Sequence, residues 1–422
     1  MSAIGWVDFS SEHREKVKSV IDLLATPGVI DELGIGVIRD SFSDSLFPGI
    51  STIQTRAKYF VTVPRIFKDY EKLPANKRRR QRLADYLNDQ ENLCMEALVQ
   101  NHADDPQDGI IGERFYNKQG EVQRKPSSAY WVGIRQFGLI RTELSLQAFC
   151  RKYANPDQSL LELVKGTDKS KGDDPDASDN GNEGIVCPAY DPDWINQLSL
   201  NLSVDEATFL SNQIAAKVPQ SLLGQALLDP NLREQFVELP NNWNFTTLAD
   251  EASFIPELPS ELTQTILAAR DFWQLMCGAH IRYNCLLQEQ HGTKSKKTEF
   301  DSEWEGWLEE LADFNWGRWN TGALWDQIKL HQRRVRNYTV QFVEAWIDGL
   351  RNHLPLEKLD KLVANQERYN KKSRARLQPN SQESVNDWIG ISDLNYRLFQ
   401  ARTIIRDIHN GLSASETNDA GR

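Results

Sequence analysis

Methionine is scarce, with 3 in 422 residues, and cysteine is sparse, with five at positions 94, 150, 187, 277 and 285. The cysteine count is odd and no C-x-x-C pair occurs. This excludes a disulfide framework and a zinc ribbon, and it fits a reducing compartment. Cys94 and Cys150 fall in apolar helical contexts, which points to buried, inert thiols. No apolar run approaches the about 20 residues that cross a bilayer. Met1-Ser2-Ala3-Ile4 lacks the basic-then-apolar order of a secretory signal. A cytoplasmic protein without a membrane partner is therefore expected. Positive charge is in deficit, with 49 Lys and Arg against 60 Asp and Glu, for a net charge of −11. That argues against a general polyanion binder but not against a local cationic patch. The nucleotide loops G-x-x-x-x-G-K-[ST] and G-x-G-x-x-G are absent, as are H-E-x-x-H and G-x-S-x-G. No cofactor and no metal are expected.

The residues present describe a globular, mostly helical chain. Hydrophobic residues make up 40% and charged residues 26%, and there are 12 tryptophans, enough large rings to anchor a sizeable core. Apolar residues recur at helical spacing, and caps and breakers place helices at about 11–25, 30–46 (with a break at Gly34 and Gly36), 51–70, 76–100, 126–137, 143–153, 204–217, 220–228, 260–290, 302–313, 321–353, 356–368 and 392–411. Ser51 reads as a cap, and Pro64 is expected to kink or end the helix it begins. Ser203 and Glu206 form the pattern of a capping box. Strand signals are few, Val7–Phe9 being one, so the fold class is mainly α with few short strands. Residues 166–185, which include Lys169 to Asn182, contain almost nothing to bury and read as an acidic flexible linker. The expected organisation is a helical domain over 1–165, that linker, a second helical domain over 186–412 and a frayed tail over 413–422.

Three basic clusters stand out. The first joins Arg56, Lys58, Arg65, Lys68 and Lys72 to Lys77, Arg78, Arg79, Arg80 and Arg82, with Tyr59 and Tyr70 among them. Fixed cations at this density attract phosphate. The plain alternative is a solvated helix start, although cations at a helix N-terminus sit at the wrong end of the dipole. The others are Lys329, Arg333, Arg334 and Arg336 beside Trp325 and Tyr338, and Arg368, Lys371, Lys372, Arg374 and Arg376. Brought together, the three would make a groove that tracks a nucleic-acid backbone. Paired with Glu303, Glu305, Glu309 and Glu310, they would make only a solvated surface.

Other constellations carry less. Lys125 to Tyr153 can be read as helix, tight turn, helix, a shape shared by DNA-binding modules and by ordinary helical hairpins. His102-Ala103-Asp104-Asp105 has one histidine and too few ligands for a metal. His280, on the apolar stripe of the 260–290 helix, reads as a satisfied core histidine. Arg402 and His409 lie seven apart, on one helix face. That spacing resembles the R-x-x-x-x-x-x-H pair of the all-helical HEPN ribonucleases, but Thr403 stands where those proteins carry Asn or Asp.

One resemblance covers most of the chain. It rests on Gly5 to Ser10, Asp31 to Gly36 and Phe47 to Phe60, then Gly109 to Arg114, Pro126 to Arg141, Leu394 to Arg397 and Ala401 to Ile408. These strings resemble the uncharacterised bacterial family catalogued as domain of unknown function 6361. The resemblance implies no established activity; it implies an accessory role in anti-phage defence, beside helicases and methyltransferases. The expected function is thus a non-enzymatic nucleic-acid-binding or scaffold subunit of such an assembly. The expected contacts are Arg56, Lys58, Lys77, Arg78, Arg79, Arg80 and Arg82, and the partners a nucleic acid and other defence-system proteins. Two alternatives stand beside it. One is a protein-binding scaffold presenting Trp304, Trp307, Trp316, Trp319 and Trp325. The other is a HEPN-like ribonuclease using Arg402 and His409.

Overall fold

The computed structural model describes residues 31–116, 122, 124–152, 184–331, 333–378 and 387–419. The proposed entry strand and first helix, before residue 26, lie outside these residues, as does nearly all of 166–185. The described residues form sixteen α-helices. They contain no strand, only one antiparallel bridge between Ile140 and Ile185, so the fold of the described residues is mainly α. No described helix is long and apolar enough to cross a membrane.

Contacts divide the chain into two compact units, each built from separated stretches. In the first, the described residues are 31–43, Phe245–Glu251 and Thr263–Tyr396; the second holds Asp44–Asn244, Ala252–Leu262 and Arg397–Arg422. The sequence reading divided the chain at 166–185, whereas the residues on both sides of that segment belong to the second unit. There the Arg141 N–H donates to the Gly184 carbonyl and the Val186 N–H to that of Leu139.

The helices are α1 (Gly36–Leu46), α2 (Tyr59–Lys72), α3 (Ala75–Arg80), α4 (Leu83–Asn101), α5 (Pro126–Gln136), α6 (Leu146–Lys152), α7 (Val204–Lys217), α8 (Leu222–Leu228), α9 (Pro230–Glu238) and α10 (Phe245–Glu251), then α11 (Ser260–His291), α12 (Lys294–Ala312), α13 (Thr321–Leu330), α14 (Asn337–Arg351), α15 (Leu356–Lys371) and α16 (Leu398–Asp419). Several expectations shift. Ser51 caps nothing, because the Tyr130 hydroxyl takes the Thr55 and Arg56 N–H groups and Asp407 takes that of Ala57, which holds the segment open until α2 begins at Tyr59. Pro64 then sits inside α2 without ending it. The expected 321–353 helix divides into α13 and α14 near Arg333, where Lys329–Arg333 and Arg333–Arg336 place like charges one turn apart. α16 runs to Asp419, past the tail expected from 413. The capping box forms as read, with the Ser203 hydroxyl accepting from the Glu206 N–H and Glu206 from the Ser203 N–H.

Each unit has its own aromatic core. In the second, α2 lies against α5, and Phe60 meets the Tyr130 and Phe137 rings edge-on at 4.8 and 5.1 Å. Gly133 permits this approach: a Cβ there would fall on the Gly49 carbonyl and 2.7 Å from the Phe60 ring. In the first, α11 carries a buried stripe of Ile266, Ala269, Met276, His280, Tyr283 and Leu287. Trp307 and Trp346 lie against it and donate their indole N–H groups to the Gln274 and Leu275 carbonyls. Trp307 occupies the space where a Cβ on Gly278 would stand.

Gly133→Ala cannot be absorbed by rotating a side chain, because its nearest neighbour is backbone. It should destabilise the protein by about 3 kcal/mol, the upper end for overpacking a core. The urea midpoint of the variant measures this, with exposed Val132→Ala as the comparison that should stay near wild type.

Candidate nucleic-acid interface

The first basic cluster separates into two populations. Arg56, Lys58 and Arg65 point inward. The Arg56 guanidinium donates to both Asp407 carboxylate oxygens, at 2.9 and 3.0 Å, and to the Asp108 carbonyl. Lys58 Nζ reaches Glu206 Oε2 at 2.6 Å and the Asn201 carbonyl at 3.3 Å, while an Arg65 terminal nitrogen reaches Glu206 Oε1 at 2.7 Å. All three cations are committed to carboxylates inside the second unit, so Arg56 and Lys58 leave the set of phosphate contacts expected from the sequence. Burial pulls Lys58 down and Glu206 opposes it. Burial pushes Glu206 up, but Lys58, the Ser203 N–H and Arg65 outweigh it, and the carboxyl ends below its ordinary value.

The remainder of the cluster faces solvent. α3 carries Lys77 to Arg80 in its last turn, where cations complement the negative end of the dipole. The mismatch expected from a single helix over 76–100 is therefore absent: the helix stops at Arg80 and α4 starts anew at Leu83. Buried Tyr70, whose ring meets that of Tyr86 at 5.1 Å, donates its hydroxyl to the Gln81 carbonyl at 2.9 Å. The turn is thus held by its backbone and not by its charges. Lys77, Arg79, Arg80 and Arg82 are exposed and Arg78 is half-buried. Among the described residues Lys77, Arg80 and Arg82 have no ion pair, and nearby Asp89 is occupied by the Gln81 amide.

The two later clusters belong to the first unit and are only partly paired there: Arg334, Arg336, Arg368, Lys372 and Arg374 are exposed with no ion pair among the described residues. Lys329 pairs with Asp326 and Arg333 with Asp40; Lys371 and Arg376 both face buried Glu32. Arg336 lies over the Tyr338 ring at 5.8 Å. Glu303, Glu305, Glu309 and Glu310, the acids considered as their partners, take no part in an ion pair among the described residues.

The other candidates resolve as follows. Arg402 is buried and donates to the Leu239 and Pro240 carbonyls beyond the end of α9. Its guanidinium therefore caps main chain, and half-buried His409 on the same helix has no path to use it as a partner on a substrate. His102 is buried, with Nε2 accepting the Leu200 N–H at 3.1 Å, which makes it a structural residue. No group of three potential metal ligands occurs among the described residues. His280 is a core residue but not a satisfied one: neither ring nitrogen has a hydrogen-bond partner, and burial lowers it to about 3, so it is neutral. Trp304, Trp307 and Trp319 are buried and Trp316 and Trp325 half-buried, so the five form no exposed patch. The residues from 125 to 152 form α5, a turn at Gly138 and the seven-residue α6, with α5 facing the core.

Sequence reading missed three features here: the convergence of Lys58 and Arg65 on Glu206, the Tyr70 clamp, and Asp69, which accepts from the Tyr190 hydroxyl and the Trp194 indole. Only the first left a trace, since the capping box marked Glu206 as a helix-start acid.

Glu91 is a fourth. Buried in α4, it accepts the Ser127 N–H at the start of α5, and burial pushes it up to about 7. Between 4.5, the ordinary value of a glutamate, and about 7 the folded state holds a proton that the unfolded state has released. Stability should therefore fall as pH rises through that window, by on the order of 3 kcal/mol. Glu91→Gln keeps an accepting oxygen without the charge. It should match wild type near pH 4 and exceed it at pH 8 in thermal or urea unfolding.

A family model described as "Family of unknown function (DUF6361)" matches residues 1–407. No curated protein and no solved structure matches the chain.

Proposed function

This chain belongs to DUF6361, a family of unknown function, and from that premise we propose that it is a binding protein, not an enzyme, which holds a nucleic-acid backbone on the cationic turn of α3. The observation that carries this reading is the state of Lys77, Arg79, Arg80 and Arg82. They are exposed at the end of a short helix whose backbone Tyr70 anchors, on a protein whose net charge is −11. An arginine-rich turn held in place loses less entropy on meeting phosphate than a floppy tail, and guanidinium geometry suits phosphate oxygens. The contact is to backbone, so it does not depend on base sequence. Placed in a defence assembly, as the resemblance implies, such a subunit would tether its partners to DNA.

Duplex DNA titrated against the full-length protein at rising salt tests this. Affinity should be measurable near 50 mM salt and fall steeply, with a log–log slope of about −0.9 for each phosphate neutralised. Arg79→Ala/Arg80→Ala/Arg82→Ala should reduce that slope by about 3 and weaken binding at least tenfold, with the circular dichroism spectrum unchanged. Absence of binding at low salt, or a slope untouched by the triple substitution, overturns the reading.

A further inference from the structure

A groove of about 490 Å³ opens on the surface of the first unit, between α12, α14 and α15. Its walls are Trp304, Leu308 and Leu311 of α12, Leu350 of α14, and Leu356 and Leu359 of α15, with Trp316 also lining it. Two of these leucines, Leu308 and Leu356, are each 42% exposed. Isolated exposed leucines need no explanation, but two on opposite walls of one apolar cleft do. The volume is that of a site which takes several side chains at once, within the roughly 300–1,000 Å³ of small-ligand sites.

The charge around the groove is one-sided. From Glu299 to Asp313, α12 and its C-cap carry seven acids and no base. At 100° per residue, Glu305 and Glu309 follow Leu308 and Ala312 around the helix and form the lip on that side. Glu305, Glu309 and Glu310 are exposed and have no ion pair among the described residues. Like charges this close oppose one another, and a cationic occupant would relieve them. On the opposite side, Arg351 is engaged with the face of Trp316, 5.3 Å from its ring centroid.

We propose that this groove binds a basic amphipathic helix of a protein partner, which inserts apolar side chains spaced i, i+3/i+4, i+7 between α12 and α15 and sets lysines or arginines against Glu305 and Glu309. Helix-in-groove docking uses this division of labour: apolar anchors supply affinity, and the charged lip supplies orientation and partner choice. The site lies in the first unit and the cationic turn in the second, so the inference does not rest on the nucleic-acid reading.

The test uses full-length protein and a fluorescent 18-residue helical peptide with leucines at i, i+4, i+7 and i+11 and lysines along one flank. Its controls are a scrambled peptide of the same composition and a version with glutamate in place of lysine. Fluorescence anisotropy should give saturable binding to the basic peptide at least tenfold tighter than to either control. Leu308→Glu should abolish that preference, and because Leu308 is partly exposed the unfolding midpoint should hold. Glu305→Lys/Glu309→Lys should weaken the basic peptide at least fivefold and improve the acidic one. Equal binding of the scrambled peptide, or indifference to Leu308→Glu, overturns the proposal. So does a dimer by light scattering that Leu308→Glu dissolves, since the occupant would then be a second copy of the chain.

Discussion

A carboxylate cannot stay charged inside a protein unless its neighbours replace the water it has lost. Glu206 meets that constraint with the Ser203 N–H, Lys58 and Arg65, and the second unit is organised around it. The cations come from the start and middle of α2, the carboxylate from the first turn of α7, and 148 residues separate Lys58 from Glu206. Arg65 extends the network, stacking on Tyr190 and Trp194, which in turn donate to Asp69. Removing one member would strand the others without solvent, which is why such clusters behave as single units. The first unit repeats the device on another acid: Glu32 is buried beneath Lys371 and Arg376, while Gln366 and Asn370 bind the carbonyls of residues 31–33.

This constraint also decides which cations remain for function. Arg56, Lys58 and Arg65 are drawn inward because carboxylates wait for them. Lys77, Arg80 and Arg82 meet none, and they stay at the surface on a turn that a tyrosine holds by its backbone. The same separation holds for acids. Glu32, Glu206 and Asp407 are buried and paired, whereas Glu305, Glu309 and Glu310 project from α12 beside apolar surface. Among the described residues the turn of α3 and the lip of α12 are thus two exposed stretches of single-sign charge, where a partner of opposite charge gains by binding.

Two further buried ionisable groups, His280 and Glu91, have no ion pair among the described residues. Neutral His280 sits with both nitrogens unpartnered beside Trp273, and Glu91 holds the start of α5 at the cost of a carboxyl that resists ionisation. Each reads as a core residue whose polarity the surrounding fold outweighs.

How much of this was legible in the amino-acid order depends on the range of the forces involved. Helix content, the α7 capping box and the α11 stripe are local: they follow from 3.6-residue periodicity and from which side chain can reach a nearby N–H, so the order of residues determined them. The mainly helical class and the kinship of residues 1–407 were readable for the same reason, since local strings carry both. Tertiary structure decided the rest. Ser51 has the look of a cap, but Tyr130 and Asp407 take the N–H groups that follow it from 75 and 350 residues away. Lys58 and Lys77 are equivalent in sequence, two cations in one basic run. One became structural and the other stayed exposed because a glutamate far along the chain lies within 3 Å of the first only. Electrostatic pairing acts through space and is blind to chain distance, so where a charge ends up, and therefore what it can bind, is settled by the fold.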